Sequence, residues 1–202
     1  MATPSGTEIF VPVAGCGVTL LFGEGHFVGL VWQITESSKT IKRDNRYMER
    51  EDFMREAIRI SRENMERGGG PFGAVIVRDG EIIARSGNTV ALENDPTAHA
   101  EINAIQKASD YLNDFDLSGC ELYSSCEPCP MCLGAIYWAR IDRVWYAADR
   151  DDAAEAGFDD SFIYREMQKP VEERSIPTQQ KLRDEALKAF HEWQEKEDKI
   201  QY

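Results

Sequence analysis

The 202-residue sequence is poor in basic residues. Lysine and arginine total 23, against 36 aspartate and glutamate residues, so the formal net charge is −13 at pH 7. Proteins that bind nucleic acid normally need a basic surface to displace the counterions of the phosphate backbone. The charge therefore argues against a polyanionic substrate, whereas a small uncharged ring carries no such requirement.

Features of membrane and secreted proteins are also missing. The apolar stretch over residues 9–34 is interrupted by Glu24, His26 and five glycines, and no basic region precedes it as a secretory signal requires. The cysteine count of five is odd, and three of these cysteines cluster within residues 126–132, which favours a metal site over a disulfide framework. We therefore expect a cytoplasmic protein with no membrane partner and no nucleic-acid partner.

The composition of the chain changes near residue 48. Residues 1–47 combine the Gly-rich apolar stretch with a polar linker over residues 37–46, whereas amphipathic patterning begins at Met48. Two interpretations remain: an extension of unknown role, or an upstream translation of a gene whose natural start is Met48. We favour the second, and expect a poorly ordered and poorly packed extension over 1–47 followed by one domain over 48–202.

Hydrophobic periodicity predicts alternating helices and strands from residue 49 onward. The predicted helices cover 49–65, 97–108, 130–140 and a last amphipathic segment around 182–193, and the predicted strands cover 72–77, 81–85, 117–124 and 143–147. Asp95 and Pro96 are typical of a helix start, so the second helix is expected to begin at Thr97. This order implies a sheet with a parallel crossover and with helices on both faces.

Two short motifs contain the residues suited to metal chemistry. His99 and Glu101 form H-x-E, and residues 128–132 read P-C-x-x-C. A catalytic zinc takes three imidazole or thiolate ligands and keeps a fourth position for water, so His99, Cys129 and Cys132 supply the expected set. Glu101 is left beside the metal as a proton shuttle. This combination is the mark of zinc deaminases that act on bases and nucleosides.

The two motifs also allow other interpretations. A lone C-x-x-C can be a redox pair or half of a structural zinc site, with Cys126 as a possible fourth ligand. Those interpretations leave Glu101 without a role, so the catalytic site is favoured. Cys16, Cys120 and Cys126 are interpreted as buried or incidental thiols.

Beyond the zinc motifs, the chain resembles the bacterial guanine deaminases of the cytidine-deaminase superfamily. The resemblance covers about residues 48–202, and its clearest parts are residues 69–75, 94–101, 125–138 and 152–164, together with the terminal Tyr202. It implies an α/β fold, a three-layer α/β/α sandwich on a five-stranded mixed sheet of the cytidine-deaminase type. It also implies a homodimer in which the C-terminal segment swaps onto the partner.

The resemblance further implies an activity and residue roles. The reaction would be the zinc-dependent hydrolysis of guanine to xanthine and ammonia in purine catabolism or salvage, with one Zn²⁺ per subunit and with Glu101 moving protons. Asp160 is favoured over Asp159 as the acid that recognises the purine, and Tyr202 would act as a lid. The full set implied for substrate binding is Asn88, Phe72, Ala100, Trp138, Asp160 and Tyr202.

Three alternatives remain open at this point. A guanosine deaminase shares the Gly-Gly-Pro-Phe-Gly-Ala-Val run and the Gly-Phe-Asp-Asp run, although residues 161–164 favour the base over the nucleoside. A tRNA adenosine deaminase shares the zinc motifs, but the net charge opposes it. A structural zinc module would hold the metal without catalysis.

Overall fold

The computed structural model describes residues 7–13, 16–23, 26–33 and 48–201, with side chains described from Met48 onward. The chain divides into two units, residues 1–47 and residues 48–202. The predicted linker at 37–46 and Tyr202 lie outside the described residues. None of the helices described has the length and apolar character needed to cross a bilayer.

Three strands of the first unit form an antiparallel meander. They are β1 (Thr7–Val13), β2 (Cys16–Gly23) and β3 (His26–Gln33), arranged in the order β1-β2-β3. The expectation that residues 1–47 pack poorly stays a prediction.

The second unit is built on a mixed sheet of four strands. They are β4 (Gly70–Arg78), β5 (Glu81–Asn88), β6 (Cys120–Cys126) and β7 (Arg143–Ala148), in the order β5-β4-β6-β7. Strand β4 pairs antiparallel with β5 and β6, and β6 pairs parallel with β7. Asp79 and Gly80 close the β4–β5 hairpin with positive φ angles of 52° and 78°, as a tight two-residue hairpin turn requires.

The prediction of a five-stranded sheet is therefore wrong in the strand number. After β7 the chain forms α5 (Arg150–Glu155), α6 (Ser161–Gln168), a 3₁₀ turn (Val171–Glu173) and α7 (Arg183–Glu195). The connection from 169 to 182 contains Pro170 and Pro177 and has no alternating β-branched run. The described residues after β7 consequently offer no segment that could add a strand.

Helices cover both faces of this sheet. On one face α1 (Arg50–Glu66) packs Phe53 against Val75, Val77 and Tyr123. On the other face lie α3 (Ala100–Leu112) and α4 (Pro130–Trp138). Their core cluster includes Ala74, Ile76, Ala104, Leu122 and Ile136. Alternate residues of β4 therefore enter two separate cores, and each large apolar side chain buried there contributes about 1.5–3 kcal/mol.

The start of α3 differs from the prediction. Asp95 accepts hydrogen bonds from the backbone N–H and the hydroxyl of Thr97 at 2.8 and 2.7 Å, which forms a turn instead of a helix cap. The helix begins at Ala100, and His99 precedes it in an extended conformation with φ −69° and ψ 155°. A four-residue helix, α2 (Val90–Glu93), lies between β5 and this turn.

Candidate active site

The residues of the two zinc motifs meet where two helices begin. His99 is the N-cap residue of α3, and Cys129 is the N-cap residue of α4, followed by Pro130 at the first helical position. Neither side chain caps its own helix, so the imidazole and the thiol are available for other contacts. Cys132, one turn into α4, is fully buried.

The donor atoms of this cluster fit a zinc ion. The Nδ1 atom of His99 lies 3.5 Å from the Sγ atoms of both Cys129 and Cys132, and the two sulfurs lie 3.5 Å apart. Tetrahedral zinc, with ligand distances near 2.0–2.3 Å, separates its ligand atoms by about 3.5–3.8 Å. The three side chains therefore match the spacing and the ligand types of a zinc site with three protein ligands.

Hydrogen bonds within the cluster prepare one of its two thiols for metal binding, whereas the other thiol and the imidazole must release their protons when a metal binds. Cys129 and Cys132 share a hydrogen bond, which lowers the pKa of Cys129 to about 4 and raises the pKa of Cys132. The hydrogen bond to Cys129 raises the pKa of His99. A thiolate is the form of cysteine that binds metal, so Cys129 is prepared for ligation.

Glu101 lies in the first turn of α3 and outside the group of metal-capable side chains. It is 6% exposed and its Oε1 accepts a hydrogen bond of 3.2 Å from Ser124 on β6. Burial raises the pKa of Glu101 above its ordinary value. A carboxyl group whose pKa is raised in this way holds a proton more readily than an ordinary glutamate, which suits a residue that moves protons.

The cluster and Glu101 open onto a cavity of about 440 Å³. Three of the residues predicted to bind substrate line it: Phe72, Asn88 and Asp160. The ring of Phe72 meets the ring of Phe158 edge-on, with centroids 4.9 Å apart. The cavity thus combines an apolar pair with an amide, a carboxylate and the metal cluster, which is typical of a small-molecule site.

The two neighbouring aspartates have different environments. Asp160 lines the cavity, and burial followed by the charge of Cys129 raises its pKa. Hydrogen bonds from the side chain and from the backbone N–H of Ser161, the latter 2.8 Å long, lower the pKa of Asp159. Asp160 therefore lies at the cavity, and its role as the acid that recognises the purine stays a prediction.

The structure does not bring Trp138 or the side chain of Ala100 to this cavity. Trp138 ends α4, eight residues or about 12 Å from the start of that helix, and is 67% exposed beside Phe190 and Trp193. The methyl group of Ala100 is buried in the core beneath α3, so only its backbone remains available. The predicted lid residue Tyr202 lies outside the described residues.

Other lining residues were not predicted. Three of them come from the C-terminal segment, here residues 149–201: Arg150, Ala153 and Phe158. The last two lie within the run at 152–164 that carries the family resemblance, so that signal could have identified them. Val90 and Ala91 also line the cavity, but two apolar residues after a strand carry no recognisable chemical pattern.

The fold and the cavity define the class of zinc-dependent deaminases, in which a His-Cys-Cys site works with a glutamate that is not a ligand. Comparison with known families agrees: the cytidine and deoxycytidylate deaminase zinc-binding region matches residues 48–148. The chain belongs to this deaminase family.

Several relatives extend this similarity. Guanine deaminase of Bacillus subtilis (strain 168) is 56% identical over 156 residues, which are 77% of this chain and 100% of that protein. The X-ray structure of the Bacillus subtilis guanine deaminase matches with a TM-score of 0.75, covering 77% of this chain and 99% of that chain. A guanine deaminase structure from Nitrosomonas europaea has a TM-score of 0.54 at 36% identity, covering 55% of this chain and 65% of that chain. The tRNA-specific adenosine deaminase of Aquifex aeolicus (strain VF5) is 46% identical over 101 residues, 50% of this chain and 67% of that protein.

Proposed function

We propose that this protein hydrolyses guanine to xanthine and ammonia with one Zn²⁺ per subunit. The observation that carries the proposal is the shared cavity, in which the His-Cys-Cys cluster and buried Glu101 face Asn88, Phe72 and Asp160. Its volume, about 440 Å³, suits a small planar base. The 56% identity to a guanine deaminase over 156 residues supports this substrate over tRNA, because the match to the tRNA-specific enzyme covers 101 residues.

His99, Cys129 and Cys132 hold the metal in this mechanism. Bound zinc lowers the pKa of a water molecule to about 7 and stabilises negative charge on the reacting group. Glu101 would take a proton from the attacking water and deliver it to N3 of the base. It would then take the proton of the new hydroxyl group on C2 and pass it to the amino group, so that the C2–N bond breaks and ammonia leaves. Its burial supports this role, because a raised pKa allows the carboxyl group to carry the proton between the two transfers.

Asn88 and Asp160 bind the polar edge of guanine. The Oδ1 of Asn88 accepts a hydrogen bond of 3.2 Å from the backbone N–H of Val90, so its NH₂ group is directed to a ligand acceptor such as O6 or N7. The carboxylate of Asp160 accepts from ring N–H groups, while Phe72 and Phe158 contact the apolar faces. Ala100 contributes its backbone N–H, which no bond within α3 uses.

The protein acts as a cytoplasmic homodimer in which the part of the C-terminal segment that follows Asp160 is exchanged between the subunits. Helices α6 and α7 bury no residue within the chain, and their exposed apolar side chains include Phe162, Phe190 and Trp193. Exchange would cover these faces and would bring Tyr202 to the cavity of the partner. The cytoplasm supplies the reducing conditions that thiolate ligands require. Sedimentation velocity should give the mass of a dimer, and a monomer would contradict this part of the proposal.

The test of the activity is ammonia release on guanine, guanosine, adenine, cytosine and cytidine, with zinc quantified by mass spectrometry in the same preparation. We expect turnover of guanine above the other four and one zinc per chain. A preference for guanosine would assign the chemistry to the nucleoside instead. Bound zinc without ammonia release from any of the five would favour a structural zinc module.

A further inference from the structure

Two asparagines outside the cavity hold the strand end that carries Asn88. Asn64, on the last turn of α1, donates its Nδ2 hydrogens to the backbone oxygens of Gly70 and Asn88, both at 2.7 Å. Asn103, on α3, directs its Nδ2 to the backbone oxygen of Gly87 at 3.2 Å. Since α1 and α3 lie on opposite faces of the sheet, the end of β5 is held from both sides.

Asn64 replaces strand hydrogen bonds at an irregular point of the sheet. Gly70 pairs with Asn88, but the next pair joins Gly73 to Gly87, so β4 has two extra residues here. Such a bulge removes residues from the ladder and redirects their side chains, and Phe72, one of the two, lines the cavity. The carboxamide of Asn64 thus satisfies two backbone oxygens that face each other beside this bulge.

The space around Asn64 is closed. The side chain is 8% exposed. A Cβ atom at Gly69 or Gly87 would overlap its carboxamide, so the backbone packs directly against this group. The polypeptide therefore has little freedom to shift Asn88 while Asn64 is in place.

Asn103 joins the same strand end to the turn that precedes His99. Its Nδ2 lies 2.9 Å from the hydroxyl of Thr89 and 3.3 Å from the backbone oxygen of Ala98. The backbone N–H of Thr89 also donates to that oxygen at 2.9 Å. One side chain thus links the residues on either side of Asn88 to the residue before His99.

We propose that Asn64 and Asn103 are positioning residues that set substrate affinity by fixing the backbone of Asn88. The inference rests on the proposed function, because it takes Asn88 as the amide that binds the base. Neither asparagine contacts the substrate or the metal. Their effect is to keep the NH₂ group of Asn88 at one place relative to the metal cluster, which lowers the cost of binding a rigid ring.

The experiment compares guanine turnover by Asn64→Ala, Asn103→Ala and the control Ser61→Ala. Ser61 lies on the same helix with the same 8% exposure, and within the described part of the chain its hydroxyl bonds to the backbone oxygen of Ile58 alone, at 2.8 Å. We expect KM to rise roughly tenfold or more in both asparagine variants, with a smaller change in kcat and unchanged zinc content. Ser61→Ala should keep the KM of the wild type. Equal KM values in all four proteins would overturn the proposal.

A double-variant cycle separates positioning from a merely structural role. If both asparagines act through Asn88, adding Asn64→Ala to Asn88→Ala should raise KM by less than twofold, because the amide to be positioned is gone. A full additional increase in KM would contradict the proposal. Asn103→Ala in the Asn88→Ala background provides the second measurement should one combination fold poorly.

Hydrogen exchange tests the same idea without substrate. We expect backbone amides of residues 86–91 to exchange faster in both asparagine variants and at the wild-type rate in Ser61→Ala. Unchanged exchange would refute the positioning role even where guanine turnover is strong. If exchange is faster in the asparagine variants but the wild-type protein does not turn over guanine, the proposed function is contradicted. The conclusion that Asn64 and Asn103 hold the end of β5 would then still stand.

Discussion

The inner part of the domain, residues 48–148, and the C-terminal segment, residues 149–201, are held in different ways. The inner part places Tyr123, Ile76, Leu122 and other side chains fully within two cores. The C-terminal segment has three helices, none of which buries a residue within the chain. Both nevertheless contribute to the same cavity, since Arg150, Phe158 and Asp160 line it opposite the metal cluster.

This difference suggests a division of labour. Metal ligation and proton transfer need atoms fixed to within a fraction of an ångström, which a close-packed core provides. Recognition and enclosure of a substrate can be assigned to a segment with fewer buried contacts, because such segments can open and close. We therefore expect variants of the metal ligands and of Glu101 in the inner part to affect kcat, metal content or stability, whereas variants of the C-terminal segment, like those of the asparagines around Asn88, should affect KM.

The largest effect is expected for Glu101→Gln. The amide cannot transfer protons, so kcat should fall by about a hundredfold to ten-thousandfold while zinc content stays at the wild-type level. Glu127→Gln is the comparison, because Glu127 lines the same cavity but accepts a hydrogen bond from the backbone N–H of Arg150. Its loss in kcat should be much smaller. Substantial activity in Glu101→Gln would contradict the assignment of proton transfer to Glu101 and hence to the inner part.

Cys129→Ala should lose both the metal and stability. Removing one of three ligands leaves an incomplete zinc site, and metal binding is linked to folding, so Tm should fall by roughly 5 °C or more. Cys120→Ala serves as the control, since Cys120 is a fully buried cysteine outside the cluster. It should lose some packing stability and keep its zinc. Full zinc occupancy in Cys129→Ala would contradict the assignment of the ligands.

Asp160→Asn tests the C-terminal segment. Replacing the carboxylate with an amide offers a donor to the N–H groups of the base, so we expect KM for guanine to rise roughly tenfold or more with a smaller change in kcat. Asp159→Asn is matched in sequence and chemistry, but Asp159 bonds to the backbone of Ser161. It should leave KM within twofold. A loss confined to kcat in Asp160→Asn would break the proposed division of labour.

Glu56→Gln should have a small effect that depends on pH. Hydrogen bonds from Arg59 and Arg85 lower the pKa of Glu56 from 4.5 to about 2, and Arg85 links α1 to β5. Because the folded pKa lies below the ordinary value, the stabilisation is present above pH 4.5 and is lost as the pH falls towards 2. The variant should be less stable by about 1 kcal/mol at pH 7 and close to wild type near pH 2–3, as measured by urea unfolding. A difference that does not change with pH would exclude this ion pair as its cause.

Deletion of residues 1–47 should have the smallest effect of all. These residues form a unit separate from residues 48–202, and the metal-capable cluster lies in the second unit. Zinc content and guanine turnover should match those of the full chain. Loss of zinc or of guanine turnover would show that the activity of the second unit requires residues 1–47.

The elements of the inner part were predictable because their signals are local and redundant. The helix at 50–66 and the hairpin of β4 and β5 each follow a clear apolar period and a turn signal. The start of α3 was not predictable, because an aspartate at position 95 is compatible with either a helix cap or a turn. Only the three-dimensional position of His99 decides between the two. Helix α5 was not predicted, although the sequence carries a local signal for it, since Asp149 and Asp152 form a capping box.

The residue types of the metal site determine its chemistry, whereas the cavity around it depends on packing. His99, Cys129 and Cys132 could be identified from ligand type and spacing alone. The exposed position of Trp138 could not be identified in this way, because it depends on the direction in which α4 leaves the cluster. The number of strands likewise depends on what the chain does after β7, where proline-rich connections replace a strand pattern.

The placement of His99 and Cys129 at the starts of two helices bears on how the protein assembles. These ligands are separated by thirty residues, and β6 lies between them in the chain. In an unfolded chain the closure of this loop costs conformational entropy, so we expect the three donors to converge after β6 has joined the sheet and both helices have docked. Zinc uptake during refolding should therefore follow formation of the core, and its rate would measure the rate of the last stage of folding.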